Sequence, residues 1–338
     1  MLLTLLSLSA TARSWCAAPL TVHEWGVQVF SADGRPLAGP PLPDWFHTIA
    51  DGPAHDAQPV AELLADSGLR TLPVLQFYSP RHWESIPVAL DIGFALGQPI
   101  IWYPQVDAIT ETSLHWRRLD LLSQAPSSTL PLDEVGWVAP LRAVTDAWWV
   151  QRGEEVERFV FYEGATRESP ALRLTNGPTA DNHHILHNTT DWDVHDVFVV
   201  KVQDGQRQVW YAPKVPAGKS AGFLLESDET DPAGLLAQRL TTDRPESWAG
   251  TMGEECVMMR DPAVPARQTT GHQLYTEELA VLMGVWEDRL FTAEGTRILY
   301  REDAAALDAL VPLSVYTDMY HHVVLSRLGL VVVEGVAL

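Results

Sequence analysis

The chain has 338 residues, 46% hydrophobic and 20% charged, so it can bury a large interior and is too apolar to be disordered. Its length suggests two or three domains. A formal net charge of −21, with no cluster of Lys and Arg to reverse it locally, excludes nucleic acid and anionic lipid as attracted partners. No later segment approaches the roughly 18 consecutive apolar residues of a membrane-crossing helix, so no transmembrane segment is expected.

The chain opens on "MLLTLLSLSATARSWCAAPL", an apolar run over Leu2–Leu8 followed by small residues, with "ATA" at 10–12 as an A-x-A cleavage site. Residues 1–18 resemble a secretory signal peptide, although no Lys or Arg precedes the apolar run. The protein is therefore expected to be extracytoplasmic, periplasmic or secreted. Cleavage after Cys16 would leave Cys256 alone, without an internal disulfide.

Residues 19–166 read as an N-terminal β domain. "VLQFYS" (74–79), "IPVALDIGFA" (86–95), "IIWYP" (100–104), "SLHWRRLDLL" (113–122), "VTDAWWVQR" (144–152) and "ERFVFYEG" (157–164) are rich in β-branched and aromatic residues and are separated by Pro, Gly and Asp. Residues 167–228 give five more short strands, with "QDGQ" at 203–206 as a turn, and predict a small immunoglobulin-like sandwich. After Glu226 the period changes. "DPAGLLAQRLTT" (231–242) and "TEELAVLMGVWEDRLF" (276–291) carry apolar residues three and four apart and predict helices, the second with Thr276 as N-cap and Glu278 in its first turn. An acidic helical piece at 303–310 and the strand "HVVLSRLGLVVVE" complete the segment 229–338. The expected class is mainly β with a helical C-terminal part, α+β, built of antiparallel β-sandwich-like domains.

Residues 181–198, "DNHHILHNTTDWDVHDVF", hold four histidines and four aspartates. On a strand, His183 and His187 share one face about 13 Å apart, and His184 points the other way. A hairpin over 183–196 would bring His195 back near His187, beside Asp193 or Asp196, whereas a helical turn over 181–188 would set His184 and His187 at i and i+3; His184, His187 and His195 are thus the candidate ligands of a divalent transition metal. The alternative is a polar hairpin whose histidines face water.

Thirteen tryptophans suit either a core or a stacking surface for sugars, and Trp102 and Trp148 are the candidate ligand-binding residues. "GKSAG" at 218–222 fits the G-x-S-x-G nucleophile elbow, but the strand-like "FLLES" follows where the elbow needs a helix. In "HEWG" (23–26) the adjacent His and Glu face opposite ways on a strand; Glu24 buried beside Trp25 would suit a general base, and otherwise Trp25 is expected in the core with Glu24 capping a turn or paired with an Arg. Cys256 lies beside two acids, which argues against a nucleophilic thiol, and His321 and His322 have no visible partners.

Five blocks, "VHEWGVQVF" (22–30), "PVLQFYSP" (73–80), "IIWYPQ" (100–105), "RFVFYEG" (158–164) and "VWEDRLFTAEGTRILY" (285–300), occur in that order. They resemble a family of exported bacterial proteins with an "EWGTFT"-like opening motif, common in planctomycetes and myxobacteria. The resemblance covers most of the mature chain and implies export, but the family has no established activity to transfer. Here "VQV" replaces "TFT" after Gly26, and "LSRLG" stands where the family has Gly-Arg-x-Glu. The expected function is a non-catalytic binding or assembly module with a glycan or protein partner at the cell envelope; the alternative is a metal-binding protein or metal-dependent enzyme centred on 183–196.

Overall fold

The computed structural model describes residues 19–49, 68–80, 83–127, 129–176, 183–227, 231–244, 266–318 and 323–337. Its strands are β1 (Leu20–Ser31), β2 (His47–Thr48), β3 (Gly68–Tyr78), β4 (Ser85–Gly93), β5 (Gly97–Tyr103), β6 (Ala108–Thr110), β7 (Ser113–Leu122), β8 (Trp149–Arg152), β9 (Glu155–Glu157) and β10 (Val160–Thr166). There follow β11 (Leu172–Asn176), β12 (His183–Asn188), β13 (Val194–Gln203), β14 (Gln206–Val215), β15 (Ser220–Leu224), β16 (Glu226–Ser227), β17 (Thr269–Gly271), β18 (Gly295–Arg301), β19 (Leu313–Tyr316) and β20 (Val323–Glu334). The helices are α1 (Val138–Arg142), α2 (Pro232–Leu240), α3 (Thr276–Glu287) and α4 (Ala304–Leu310). The class is mainly β, α+β, as the alternation of apolar residues predicts.

One 11-stranded sheet, in the order β16-β14-β13-β18-β20-β1-β3-β10-β5-β2 with β17 also on β20, forms the middle layer. Its centre joins the two ends of the described chain, since β1 pairs with β20 in parallel from Leu20↔Val323 to Ser31↔Glu334. Both strands are buried almost throughout, which a central parallel pair requires. The sheet takes strands from all three expected segments, so the boundaries expected near residues 166 and 228 fall inside it. The cause is that long-range pairing, which periodicity does not encode.

Alternation along β1 divides the core. Trp25, Val27 and Val29 pack with Leu236, Leu279, Leu282 and Trp286 beneath the helices. On the opposite face, Leu20 and Val22 pack under a six-stranded sheet of β4, β6, β7, β8, β9 and β19. Further along that same face, Phe30 packs under a three-stranded sheet of β11, β12 and β15. The five strands read in 167–228 divide between two layers, β13 and β14 within the large sheet and β11, β12 and β15 in the three-stranded one.

Between the two covering sheets, Glu24 occupies the same face of β1. Arg327 of β20 binds it through Nε and Nη2 at 3.0 and 3.1 Å, and the Tyr162 hydroxyl donates to it at 2.9 Å. The Arg pairing expected of Glu24 is thus present, and Trp25 is fully buried. Helix α4 lies over this network because position 329 is glycine. A Cβ there would stand 2.3 Å from Glu302 Oε2 and 2.8 Å from Leu307 Cδ2.

Candidate functional site

A cleft of about 420 Å³ opens on the large sheet, on the face of β1 that carries Glu24 and Gln28. Gln28, Tyr300 and Val331 of the large sheet floor it, Ala306 and Leu310 of α4 form one side, and the β12–β13 connection, Thr190 to Val194, forms another. The stretch that looked most like chemistry therefore lines a cavity, although not in the way its spacing suggested.

Connection 188–193 is held by its own polar residues. Asn188 Nδ2 donates to the Trp192 and Val215 carbonyls at 2.7 and 3.1 Å, while its Oδ1 accepts from the Thr190 hydroxyl at 2.8 Å. Asp193 accepts from Lys214 Nζ at 2.8 Å and from the Ala217 amide at 2.9 Å. The Lys214 hydrogen bond is the main reason its carboxyl sits below the ordinary range. These bonds present Trp192 at the cleft with 39% of its surface exposed.

Carboxylates dominate the lining: Glu168, Asp191, Asp193, Glu302 and Asp303 against one guanidinium, Arg167. Asp303 is the N-cap of α4 and accepts the Ala305 amide at 2.8 Å, while His195 Nε2 meets its other oxygen at 3.1 Å. The next residue, Asp196, takes a left-handed φ of 47° at a β13 bulge, a conformation Asp tolerates. Its buried carboxylate accepts from Arg301 Nε at 2.8 Å, Arg239 Nε at 3.0 Å and the Tyr211 hydroxyl at 3.2 Å. Burial pushes this carboxyl up, but the two guanidinium groups outweigh it and leave it below its ordinary value.

The three candidate metal ligands do not meet. His184 lies on the buried face of β12, its ring 5.4 Å from that of Phe223, and burial lowers its pKa. His187 projects from the other face and bonds Thr175 Oγ1 at 2.8 Å and Ser220 Oγ at 2.7 Å. His195 belongs to another sheet, because β12 pairs with β11 and β15 whereas β13 pairs with β14 and β18. The expected hairpin over 183–196 is instead an arch between two layers. Among the described residues no group of three His, Cys, Asp or Glu side chains could hold a metal ion.

The tryptophan assignments also change. Trp102 is fully buried, with Nε1 donating to Gln105 Oε1 at 2.8 Å, and Trp148 is 6% exposed in the same core, so neither offers a stacking face. They sit on inward positions of a two-layer core, where large aromatic rings fill volume. Ser220 opens β15 and is followed by strand, so no nucleophile elbow forms. Residues 1–18, which include Cys16, and Cys256, His321 and His322 lie outside the described residues.

A second polar cluster had no local signature. His23 Nδ1 meets Glu278 Oε2 at 2.6 Å with both side chains buried, and the His23 ring lies 4.5 Å from Tyr275 and 5.2 Å from Tyr78. Glu278 also accepts the Tyr275 amide at 2.8 Å, so the cap of α3 is Tyr275, one residue before the expected Thr276. Burial, reinforced by the charge of Glu278, raises the Tyr78 hydroxyl pKa well above its ordinary value. This cluster fastens α3 to the central strand. Of the cleft, Asp191, Trp192 and Asp193 lie in the stretch singled out by its histidines, and Asp303, an acid just before "AAALDAL", carried the signal of an N-cap. Glu302 precedes it in the chain, whereas Arg167 joins it at the cleft only through the fold.

No family model matches the chain, and no curated protein does. Among solved structures it is similar to the yeast delta-COP-I mu-homology domain, alone and complexed with a Dsl1 WxWxV peptide. Each is 8% identical, covers 94% of this chain and 96% of that chain, and has a TM-score of 0.32, a level that carries no assignment. No helix among the described residues is long and apolar enough to cross a membrane.

Proposed function

We propose that this chain is an exported, extracytoplasmic binding module whose cleft takes an uncharged or amine-bearing sugar. The half-exposed Trp192 in a carboxylate-lined cleft is the observation that carries this reading. An indole face suits the C–H face of a pyranose, and carboxylates and a guanidinium suit hydroxyl groups around its rim. Five acids to one Arg, on a chain of net charge −21, disfavour an anionic ligand. Asp193 and Asp303 are each already held by two partners, which favours fixed acceptors over proton-transfer groups. The signal-like opening supports export.

Titration of neutral and amino-oligosaccharides, followed by calorimetry and tryptophan fluorescence, tests the reading. Trp192→Ala is expected to weaken binding about tenfold, the loss of one stacking contact of about 1.4 kcal/mol. Binding unchanged in this variant, or no heat from any such sugar, would sink the proposal.

A further inference from the structure

The outward face of the six-stranded sheet carries a hydrogen-bonded chain unrelated to the cleft residues. Ser113 opens β7, His115 follows two positions later on the same face, and Asp91 of β4 stands opposite His115 in register. Asp91 Oδ1 lies 2.7 Å from His115 Nδ1, and His115 Nε2 lies 2.7 Å from Ser113 Oγ.

The neighbours determine which way the protons point. The Asp91 carboxylate can only accept, so the imidazole proton sits on His115 Nδ1, and Nε2 of the neutral ring accepts from Ser113 Oγ. With its own proton given to Nε2, Ser113 Oγ accepts from the Thr110 hydroxyl, whose oxygen also takes the Thr112 amide at 3.2 Å. This is the tautomer and order of a nucleophile, a base and the acid that orients the base, and such a constellation is recognised by geometry and roles rather than by chain order.

We propose that Ser113 is the nucleophile of a solvent-facing acyl-transfer site for small carboxylic esters, with His115 as general base and Asp91 as its positioning residue. Ser113 Oγ would bond to the ester carbonyl carbon as its proton passes to His115 Nε2. The alcohol would then leave with that proton as the C–O bond breaks. Water, activated by the same imidazole, would attack the acyl-serine, and the carboxylic acid would depart as Ser113 regains its proton. One neutral hydroxyl, that of Thr110, stands beside Ser113 Oγ as a side-chain donor for the developing oxyanion. Because oxyanion donors contribute roughly 10²–10³ to turnover, the site is expected to acylate detectably but turn over slowly.

The experiment treats the intact chain with an alkyl fluorophosphonate, which phosphonylates an activated serine and releases fluoride, and with p-nitrophenyl acetate. Adducts are then mapped by peptide mass spectrometry. Labelling is expected at Ser113, absent in Ser113→Ala and at least tenfold slower in His115→Gln and Asp91→Asn. His115 and Asp91 are 33% and 58% exposed and the strands are already joined by their backbone ladder, so these variants should keep the wild-type circular dichroism spectrum. No adduct on Ser113 of the wild-type chain, or a rate unchanged in His115→Gln, would overturn the proposal and leave a surface hydrogen-bond chain only. An acetyl group found on His115 rather than Ser113 would do the same.

Discussion

Arg327→Ala is expected to lower the unfolding free energy by about 3–5 kcal/mol, the usual cost of breaking a buried ion pair from one side. Arg327 is 1% exposed and binds Glu24 at 3.0 and 3.1 Å and Asp308 Oδ1 at 3.1 Å. Asp308 also accepts the Thr269 amide and hydroxyl at 2.8 and 2.6 Å. One guanidinium thus ties β1, β20, α4 and β17 together between the two covering sheets. Removing it leaves the Glu24 carboxylate, 6% exposed, with the Tyr162 hydroxyl as its donor and, among the described residues, no cation beside it. Replacing both charges at once, as Glu24→Gln with Arg327→Met, is expected to recover much of the loss because the buried Glu24 charge goes with its partner, while Asp308, 22% exposed, keeps its two Thr269 bonds. Urea unfolding of the wild type, the single variant and the double variant measures this. A single-variant loss below about 1 kcal/mol, the range of an exposed pair, would refute the role given to Arg327.

Glu163→Gln is expected to stabilise the protein at neutral pH. Glu163 is 3% exposed on β10, and burial alone pushes its carboxyl up to about 8. In the unfolded chain a Glu titrates near about 4.3. Between these values the folded chain keeps a proton that the unfolded chain releases, so rising pH favours unfolding across the window. The destabilisation is absent below about pH 4, grows through neutrality and levels off above about pH 8. At pH 7 it amounts to about 3.5 kcal/mol, an upper figure because water can relax a buried charge. The glutamine variant has no charge to acquire. Its melting temperature should match the wild type near pH 4 and exceed it by several degrees near pH 8. Melting curves that shift in parallel with pH for both proteins would show that Glu163 does not titrate in this window.

The elements were legible because their signals are local. The helix expected over 276–291 is α3 over Thr276–Glu287, continued by a wider turn over Asp288–Thr292, and the strand "SLHWRRLDLL" is β7 residue for residue. Misreadings fall where a distant partner intervenes. "VTDAWWVQR" shortens to Trp149–Arg152 because the chain turns at Asp146, with φ 61°, after α1. Glu278 reads as a first-turn acid on a surface helix, yet His23, 255 residues away, draws it into the interior.

By itself the sequence determined the class and the spans of most strands and helices. It placed His184 opposite His187 and Glu24 opposite His23, since the two-residue period of a strand is a local property. Only the tertiary structure decided which strand lies beside which. The parallel pairing of β1 with β20 merged three expected segments into one sheet, and the arch at 188–193 put His187 and His195 in different layers. The same assembly set Trp192, Arg167 and Asp303 around one cleft and placed Asp91 across from His115. Periodicity records whether a side chain is buried; it carries no information about the neighbour, because each pairing depends on the packing of the whole chain.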